Sequence, residues 1–250
     1  YAREEGLPEE VWKTIYFHYL PIGVEADAAP TRGQLGAAAV VWAAVSLADK
    51  LDSIVGMFAV GERPTGSRDP LGLRRQAQGV VKILADLPEV ADGQMPLRLG
   101  PLVERAAQPF GGLAESAVQL WSFMGDRLQY LLEQRGFDIR NVRAVMHGPV
   151  EGISPLEARR KLEALAEISG STGLLGVARL FKRVKNITKG IPGTADIESL
   201  GAKLTEPAER ELWSALGRKA GPIRDAVASG RYRDACVDIA SLEPAVSTFF

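Results

Sequence analysis

The clearest chemical signal in the sequence lies between residues 174 and 190. Five basic residues and no acidic residue fall in this stretch: Arg179, Lys182, Arg183, Lys185 and Lys189. Five apolar residues at helical spacing predict the buried face of an amphipathic helix: Val177, Leu180, Phe181, Val184 and Ile187. A basic face on such a helix suits a phosphate backbone, although a solvated face that binds nothing is the alternative. Asn186 shares the basic face and would serve either as an internal cap or as a contact to a base.

A second basic group follows a loop rich in Gly and Pro at residues 61–70. Asp69 is predicted to be the N-cap of a new helix, with Pro70 at its first position. Three arginines in or just after this loop are candidates for phosphate contact: Arg68, Arg74 and Arg75. The N-terminus of the helix would add free N–H groups and a favourable dipole.

A structural role for the same arginines is equally open. Arg74 or Arg75 would then form an ion pair with a nearby carboxylate and stabilise the loop before the helix. The candidate partners are Asp49, Asp52 and Asp69. Thr65, Gly66 and Ser67 are expected to shape the loop first and to touch a ligand second. The sequence alone does not choose between these alternatives.

Catalytic chemistry has little support in the sequence. The chain has two histidines, His18 and His147, and neither has a nearby Ser or Cys in a recognisable motif. Its one cysteine, Cys236, is expected to be a small buried apolar residue. Ile191-Pro-Gly-Thr lacks the Lys-Ser/Thr ending of a phosphate-binding loop. We therefore predict no catalytic residue and no metal site in this chain.

The elements that position these residues are all predicted to be helices. Apolar residues recur at helical spacing throughout, and no alternating strand pattern is found. The predicted helices cover residues 8–20, 34–58, 71–86, 101–109, 113–135, 138–147, 155–168, 174–188, 207–228 and 231–250. Asp138 and Ser154 are expected caps, and Gly217 and Gly221-Pro222 are expected kinks or breaks. The Pro- and Gly-rich residues 87–101 are the predicted domain boundary.

Composition limits the class of protein. The 250 residues carry a net charge of −1, so the chain as a whole is not a basic nucleic-acid binder. A single cysteine fits a reducing compartment, and we expect a cytoplasmic location. The apolar run near residues 34–48 is too short and too rich in Ala to favour a membrane over a protein core.

Residues 47–75, LADKLDSIVGMFAVGERPTGSRDPLGLRR, also resemble a known family. The stretch is similar to the β subunit of bacterial two-subunit glycyl-tRNA synthetase. The matching residues are Asp49, Lys50, Asp52, Gly56, Phe58, Gly61, Pro64, Thr65, Gly66, Ser67, Asp69, Pro70, Leu73, Arg74 and Arg75. Further landmarks match along the rest of the chain, among them Lys182-Arg-Val-Lys-Asn-Ile187 and Gly230-Arg-Tyr-Arg-Asp-Ala235.

The resemblance implies an all-α protein of two domains. Residues 1–92 would be an HD-like helical domain, truncated at its N-terminus. Residues 93–250 would be an anticodon-binding helical bundle similar to that of arginyl-tRNA synthetase, truncated at its C-terminus. The expected partners are tRNA(Gly) and the α subunit, in a heterotetramer of two α and two β subunits. ATP and Mg²⁺ are expected at the α subunit and no cofactor in this chain.

Two other functions remain open. Leu47-Ala-Asp-Lys-Leu-Asp52 resembles the last element of HD-type phosphohydrolases, in which an Asp at the position of Asp49 helps to hold a metal. The upstream His and His-Asp elements of that family are missing, so Asp49 is expected to be a degenerate position in a site that binds no metal. The second alternative is a module that docks the α subunit without binding RNA.

Overall fold

The computed structural model describes residues 1–23, 28–65, 69, 71–91, 96–113, 116–168, 172–190 and 200–250, with the backbone alone at 172–174, 177 and 202. The chain forms two compact units. Unit 1 comprises Tyr1–Leu162, and unit 2 comprises Glu163–Phe250. The described residues contain helices and no strand, which confirms the prediction of an all-α fold.

Unit 1 holds most of the helices. They are α1 (Glu9–Phe17), α2 (Arg32–Leu35), α3 (Ala39–Ala59), α4 (Leu73–Ala85), α5 (Leu87–Val90), α6 (Leu99–Ala107), α7 (Ala117–Gln134), α8 (Ile139–Val145) and the first part of α9 (Pro155–Ile168). Short 3-10 helices cover Gly36–Ala38, Gln108–Phe110 and Val150–Gly152. No helix in the described parts of the chain combines the length and the apolar character needed to span a bilayer.

The helix starts follow the capping signals of the sequence. Asp138 precedes α8 and accepts a hydrogen bond from the amide of Arg140 at 2.8 Å. Ser154 precedes α9, and its hydroxyl accepts from the amide of Glu157 at 3.4 Å. Both residues are therefore helix caps, as predicted, because side-chain oxygens satisfy amides that have no partner within the helix.

The core of unit 1 is built around α3 and α4. Trp42 and Ile54 of α3 and Val80 of α4 are completely buried. Leu99 of α6 and Leu128 of α7 join the same apolar cluster. Because α6 and α7 bury their apolar faces against α3 and α4, they belong to the same compact unit, which ends at Leu162. The predicted division into functional domains at residues 92 and 93 stays a prediction.

Unit 2 has a smaller core. Its helices are the end of α9, α10 (Thr172–Ile187), α11 (Pro207–Ala228), α12 (Tyr232–Ala240) and α13 (Glu243–Phe249), with a 3-10 helix at Gly201–Lys203. Ala215 of α11 packs with Leu242 and Ala245, and Leu180 of α10 lies against this cluster.

The structure corrects two predictions about these helices. α11 continues through Gly217 and Pro222, so the predicted break is wrong, whereas the predicted kink stays a prediction. The predicted helix 231–250 is instead two helices, because α12 ends at Ala240 and α13 begins at Glu243 with Pro244 in its first turn. Proline restricts the residue before it and suits the first turn of a helix, so it marks a start here.

Candidate nucleic-acid interface

The corner before α4 is organised by Asp69. One carboxylate oxygen of Asp69 accepts from the amide of Leu73 at 2.7 Å, and the other accepts from the amide of Arg74 at 3.1 Å. The helix begins at Leu73, after Gly72 in a left-handed conformation with φ of 65°. Asp69 therefore caps the helix with its side chain, although it is not the N-cap residue that the sequence predicted.

This cap changes the expected phosphate site. The amides of Leu73 and Arg74 already donate to a carboxylate, so the prediction of free N–H groups at this helix end is wrong for these two residues. Asp69 also places a negative charge where a phosphate would profit from the helix dipole. An anion at this corner would have to be held by side chains.

The arginines of the corner differ in exposure. Arg74 is half-buried and Arg75 is exposed. The guanidinium of Arg75 lies beside Gly72, where an added Cβ would come within 2.9 Å of Nη2. Arg75 also borders a cavity of about 270 Å³ together with Asp49. Arg68 lies outside the described residues, as do Gly66, Ser67 and Pro70.

Lys50, which the sequence did not mark as a site residue, makes three hydrogen bonds near this corner. Lys50 is buried, and its ammonium donates to the backbone carbonyl of His18 at 2.9 Å, to that of Leu20 at 3.3 Å and to the Ser46 hydroxyl at 3.0 Å. Burial lowers the pKa of Lys50 to about 8, an effect partly opposed by the negative charge of Asp49. The Lys50 ammonium therefore has a structural role, because its hydrogen bonds hold the segment at the end of α1.

Three residues of α3 form this attachment at intervals of four. The Trp42 indole donates to the Phe17 carbonyl at 2.9 Å, and the Ser46 hydroxyl donates to the carbonyls of His18 and Leu20. Lys50 completes the row. Carbonyl groups at a helix C-terminus lack hydrogen-bond donors within the helix and favour positive charge. The three side chains of α3 therefore supply the donors that the carbonyls at the end of α1 need. The spacing Trp-x₃-Ser-x₃-Lys was the available sequence signal.

Asp49 occupies the neighbouring position but faces solvent. Among the described residues, no three His, Cys, Asp or Glu side chains are grouped as metal ligands would be.

The basic helix predicted from the sequence is α10. The six candidates on this helix or directly after it are all exposed: Arg179, Lys182, Arg183, Lys185, Asn186 and Lys189. We call these six residues the basic face. Lys189 lies just beyond the last residue of α10, and Asn186 lies within the helix. Four positive charges on one helix and a fifth directly after it are thus presented to solvent, which is the arrangement that favours binding to a polyanion.

The predicted burial of the opposite face was only partly right. Leu180 packs against the core of unit 2, but Phe181 is 66% exposed, Val184 37% and Ile187 45%. The side chain of Val177 is outside the described residues. Among the described residues, Leu180 is the residue of α10 that lies against the small core of unit 2, and the apolar residues after it remain partly exposed.

Aromatic residues accompany the cations on this side of unit 2. The ammonium of Lys185 lies 5.9 Å from the centroid of the Phe181 ring, and the Arg183 guanidinium lies 5.0 Å from that of Phe250. Tyr232, the first residue of α12, is buried. The arginines of the corner and the basic face belong to different compact units.

Comparison with known proteins points to one family. A family model described as the glycyl-tRNA synthetase beta subunit matches residues 1–147. The chain is 36% identical to the glycine–tRNA ligase beta subunit of Acidobacterium capsulatum, 36% identical to that of Leptothrix cholodnii and 37% identical to that of Anaeromyxobacter dehalogenans. All of this chain is covered in each case, against 35%, 33% and 34% of the respective relatives. The chain spans about a third of the length of these relatives.

Proposed function

The chain belongs to the glycyl-tRNA synthetase beta-subunit family, and we propose on this basis that it binds tRNA(Gly) and positions it for glycylation by the α subunit. ATP and Mg²⁺ would be handled by the α subunit, in a cytoplasmic heterotetramer of two α and two β subunits. This chain would contribute RNA binding and no catalytic group to the ligase reaction.

The observation behind the proposal is the exposure of the basic face. Its five cations lie on or directly after one helix, and all of them are open to solvent. Cations that neutralise phosphates release counterions from the nucleic acid, and this release supplies affinity without reading sequence. The basic face would therefore hold the backbone of the tRNA.

The chain would distinguish tRNA(Gly) from other tRNAs by contacts to bases that are not paired. Sequence-specific proteins read RNA mainly in loops and ends, where base edges are accessible. Residues 93–250 would act as an anticodon-binding bundle similar to that of arginyl-tRNA synthetase, so the loop read by this region would be the anticodon loop. The preceding HD-like residues 1–92 would serve a structural purpose and bring Arg75 towards phosphate.

The direct test is fluorescence anisotropy of labelled tRNA(Gly) with this chain at low and moderate salt. A non-cognate tRNA measures selectivity. The variant Arg179/Lys182/Arg183/Lys185→Ala removes four charges from the basic face. A charge-matched control removes four exposed arginines from unit 1: Arg98, Arg105, Arg140 and Arg143.

We expect salt-sensitive binding that prefers tRNA(Gly), that the basic-face variant loses and that the control retains. Absence of binding to any tRNA at low salt would overturn the proposal. Capture of the chain by the α subunit without affinity for RNA would support the docking alternative instead.

A further inference from the structure

Phe181 occupies an unusual position on α10. Consecutive residues on an α-helix are rotated by about 100°, which places Lys185 about 40° from Phe181 around the helix axis. On the other side of Phe181 lie Val184 and then Leu180, which packs on the core of unit 2. Phe181 thus stands where the apolar strip of α10 meets the basic face.

The exposure of this ring is large for an apolar aromatic side chain. Two thirds of Phe181 is open to solvent, and every residue from Phe181 to Gly190 is exposed. The ammonium of Lys185, 5.9 Å from the ring centroid, lies within the range of a cation–π interaction. The helix therefore holds a flat apolar surface next to a positive charge.

This pair of groups matches the chemistry of a single-stranded nucleotide. An unpaired base offers a π face that stacks on an aromatic ring, and its phosphate offers a negative charge to a neighbouring cation. A base within a duplex already has both faces covered, so a duplex profits from the cation but not from the ring.

We propose that Phe181 is a stacking platform for an unpaired RNA base and that Lys185 binds a phosphate of the same strand. The inference rests on the proposed function and deepens it, since it names the residue that distinguishes a looped strand from a duplex. Phe181 acts by direct contact with RNA and has no part in the core of unit 2.

The other occupant to consider is an apolar protein surface laid along Phe181, Val184 and Ile187. Charge favours RNA, because residues 174–190 contain five cations and no carboxylate. The two occupants also differ in what they require of the side chains. A protein surface would use the three apolar residues alike, whereas a base requires the aromatic ring at position 181.

The test compares Phe181→Leu and Phe181→Trp with the matched control Val184→Ala. Each variant of the full chain is titrated with an RNA hairpin that carries the anticodon loop of tRNA(Gly) and with a blunt duplex of the same stem. Because Phe181 and Val184 are exposed, circular dichroism should confirm that all variants keep the helical fold. Loss of one base stacked on an aromatic residue typically weakens binding by about 5-fold to 150-fold.

We expect Phe181→Leu to weaken hairpin binding about tenfold and to leave duplex binding unchanged. Phe181→Trp and Val184→Ala should bind both RNAs as the parent chain does. Hairpin affinity that is insensitive to Phe181→Leu, or an equal loss on hairpin and duplex, would overturn the stacking role.

The tRNA titration of the basic-face variant separates this inference from the proposed function. If tRNA binding depends on the cations but not on Phe181, only the stacking role fails. If the parent chain binds no RNA, both fail. Phe181→Leu and Val184→Ala could instead lose α-subunit binding equally and keep their RNA affinity. That result would show that the apolar strip of α10 is a protein-docking surface, and it would also overturn the stacking role.

Discussion

The ammonium of Lys50 lies 2.9 Å from the backbone carbonyl oxygen of His18, which joins the middle of α3 to the end of α1. A charged lysine is rarely buried without partners, and here three oxygen acceptors surround it. The contact makes Lys50 part of the framework that supports the corner before α4.

The first prediction concerns the pH dependence of this contact. The pKa of Lys50 is lowered by burial from 10.5 to about 8 in the folded protein. Between these two values the unfolded chain retains a proton that the folded protein has released, so the free energy of unfolding should rise with pH in this window. One pKa unit corresponds to about 1.4 kcal/mol, so the contribution is on the order of 3 kcal/mol.

Comparison with Lys50→Met isolates this effect, since other titrating groups are common to both proteins. Urea unfolding from pH 7 to 10.5 should show the difference in unfolding free energy, parent minus variant, increasing with pH. A difference that stays constant over this range would contradict the lowered pKa.

The second prediction concerns Gly79, which lies in α4 against the same junction. A Cβ at Gly79 would come within 2.6 Å of Lys50 Cε and 2.7 Å of the Pro21 carbonyl oxygen. Gly79→Ala should therefore destabilise unit 1 by about 1–3 kcal/mol, because overpacking outweighs the gain in helix propensity.

Gly217 in α11 is the matched control, since nothing lies within 4 Å of an added Cβ. Gly217→Ala should stabilise the protein by up to about 1 kcal/mol. Chemical unfolding followed by circular dichroism measures the free energy of unfolding of both variants. A Gly79→Ala variant that is more stable than the parent would show that Lys50 and the Pro21 carbonyl can move to accommodate the added methyl group.

The third prediction concerns a charge cluster around Asp86. Its carboxylate pairs with Arg159 at 2.9 Å, Arg135 at 2.7 Å and Lys82 at 3.3 Å. The side chains of Arg159 and Lys82 are only 12% and 5% exposed. Asp86→Ala should cost about 2–3 kcal/mol of unfolding free energy, because it removes a carboxylate that three cations share, two of them poorly solvated.

The exposed Asp52 in α3 provides the comparison for this variant. Asp52→Ala should change stability by less than about 0.5 kcal/mol, as expected for surface residues. If the two variants unfold at the same urea concentration, the cluster contributes nothing beyond an ordinary surface charge.

The fourth prediction distinguishes two lysines of unit 2 by their partners. Lys182 is exposed on α10, whereas Lys219 is paired with Asp238 at 2.6 Å. Lys182→Ala should reduce the slope of log affinity for tRNA against log salt by about 1, the signature of one lost phosphate contact. Lys219→Ala should leave this slope unchanged, and an equal reduction in both variants would argue against a localised basic face.

The sequence by itself determined the all-α class, most helix positions and the exposed cations of the basic face. These features depend on local spacing, capping residues and charge, all of which are readable along one segment. The density of matching residues around Asp49–Arg75 was also sufficient to indicate the family. Arg179 and Lys182 lie on the predicted helix for the same local reason.

Only the tertiary structure decided which residues these helices bury. The sequence treated Phe181 as a core residue because its spacing is helical, but a small core in unit 2 leaves it exposed. It treated Asp69 as an N-cap residue, although the chain turns again at Gly72 before α4 begins. It gave no role to Lys50 or Asp86, because His18 and Leu20, and Arg135 and Arg159, lie far from them in sequence and meet them only when unit 1 is folded.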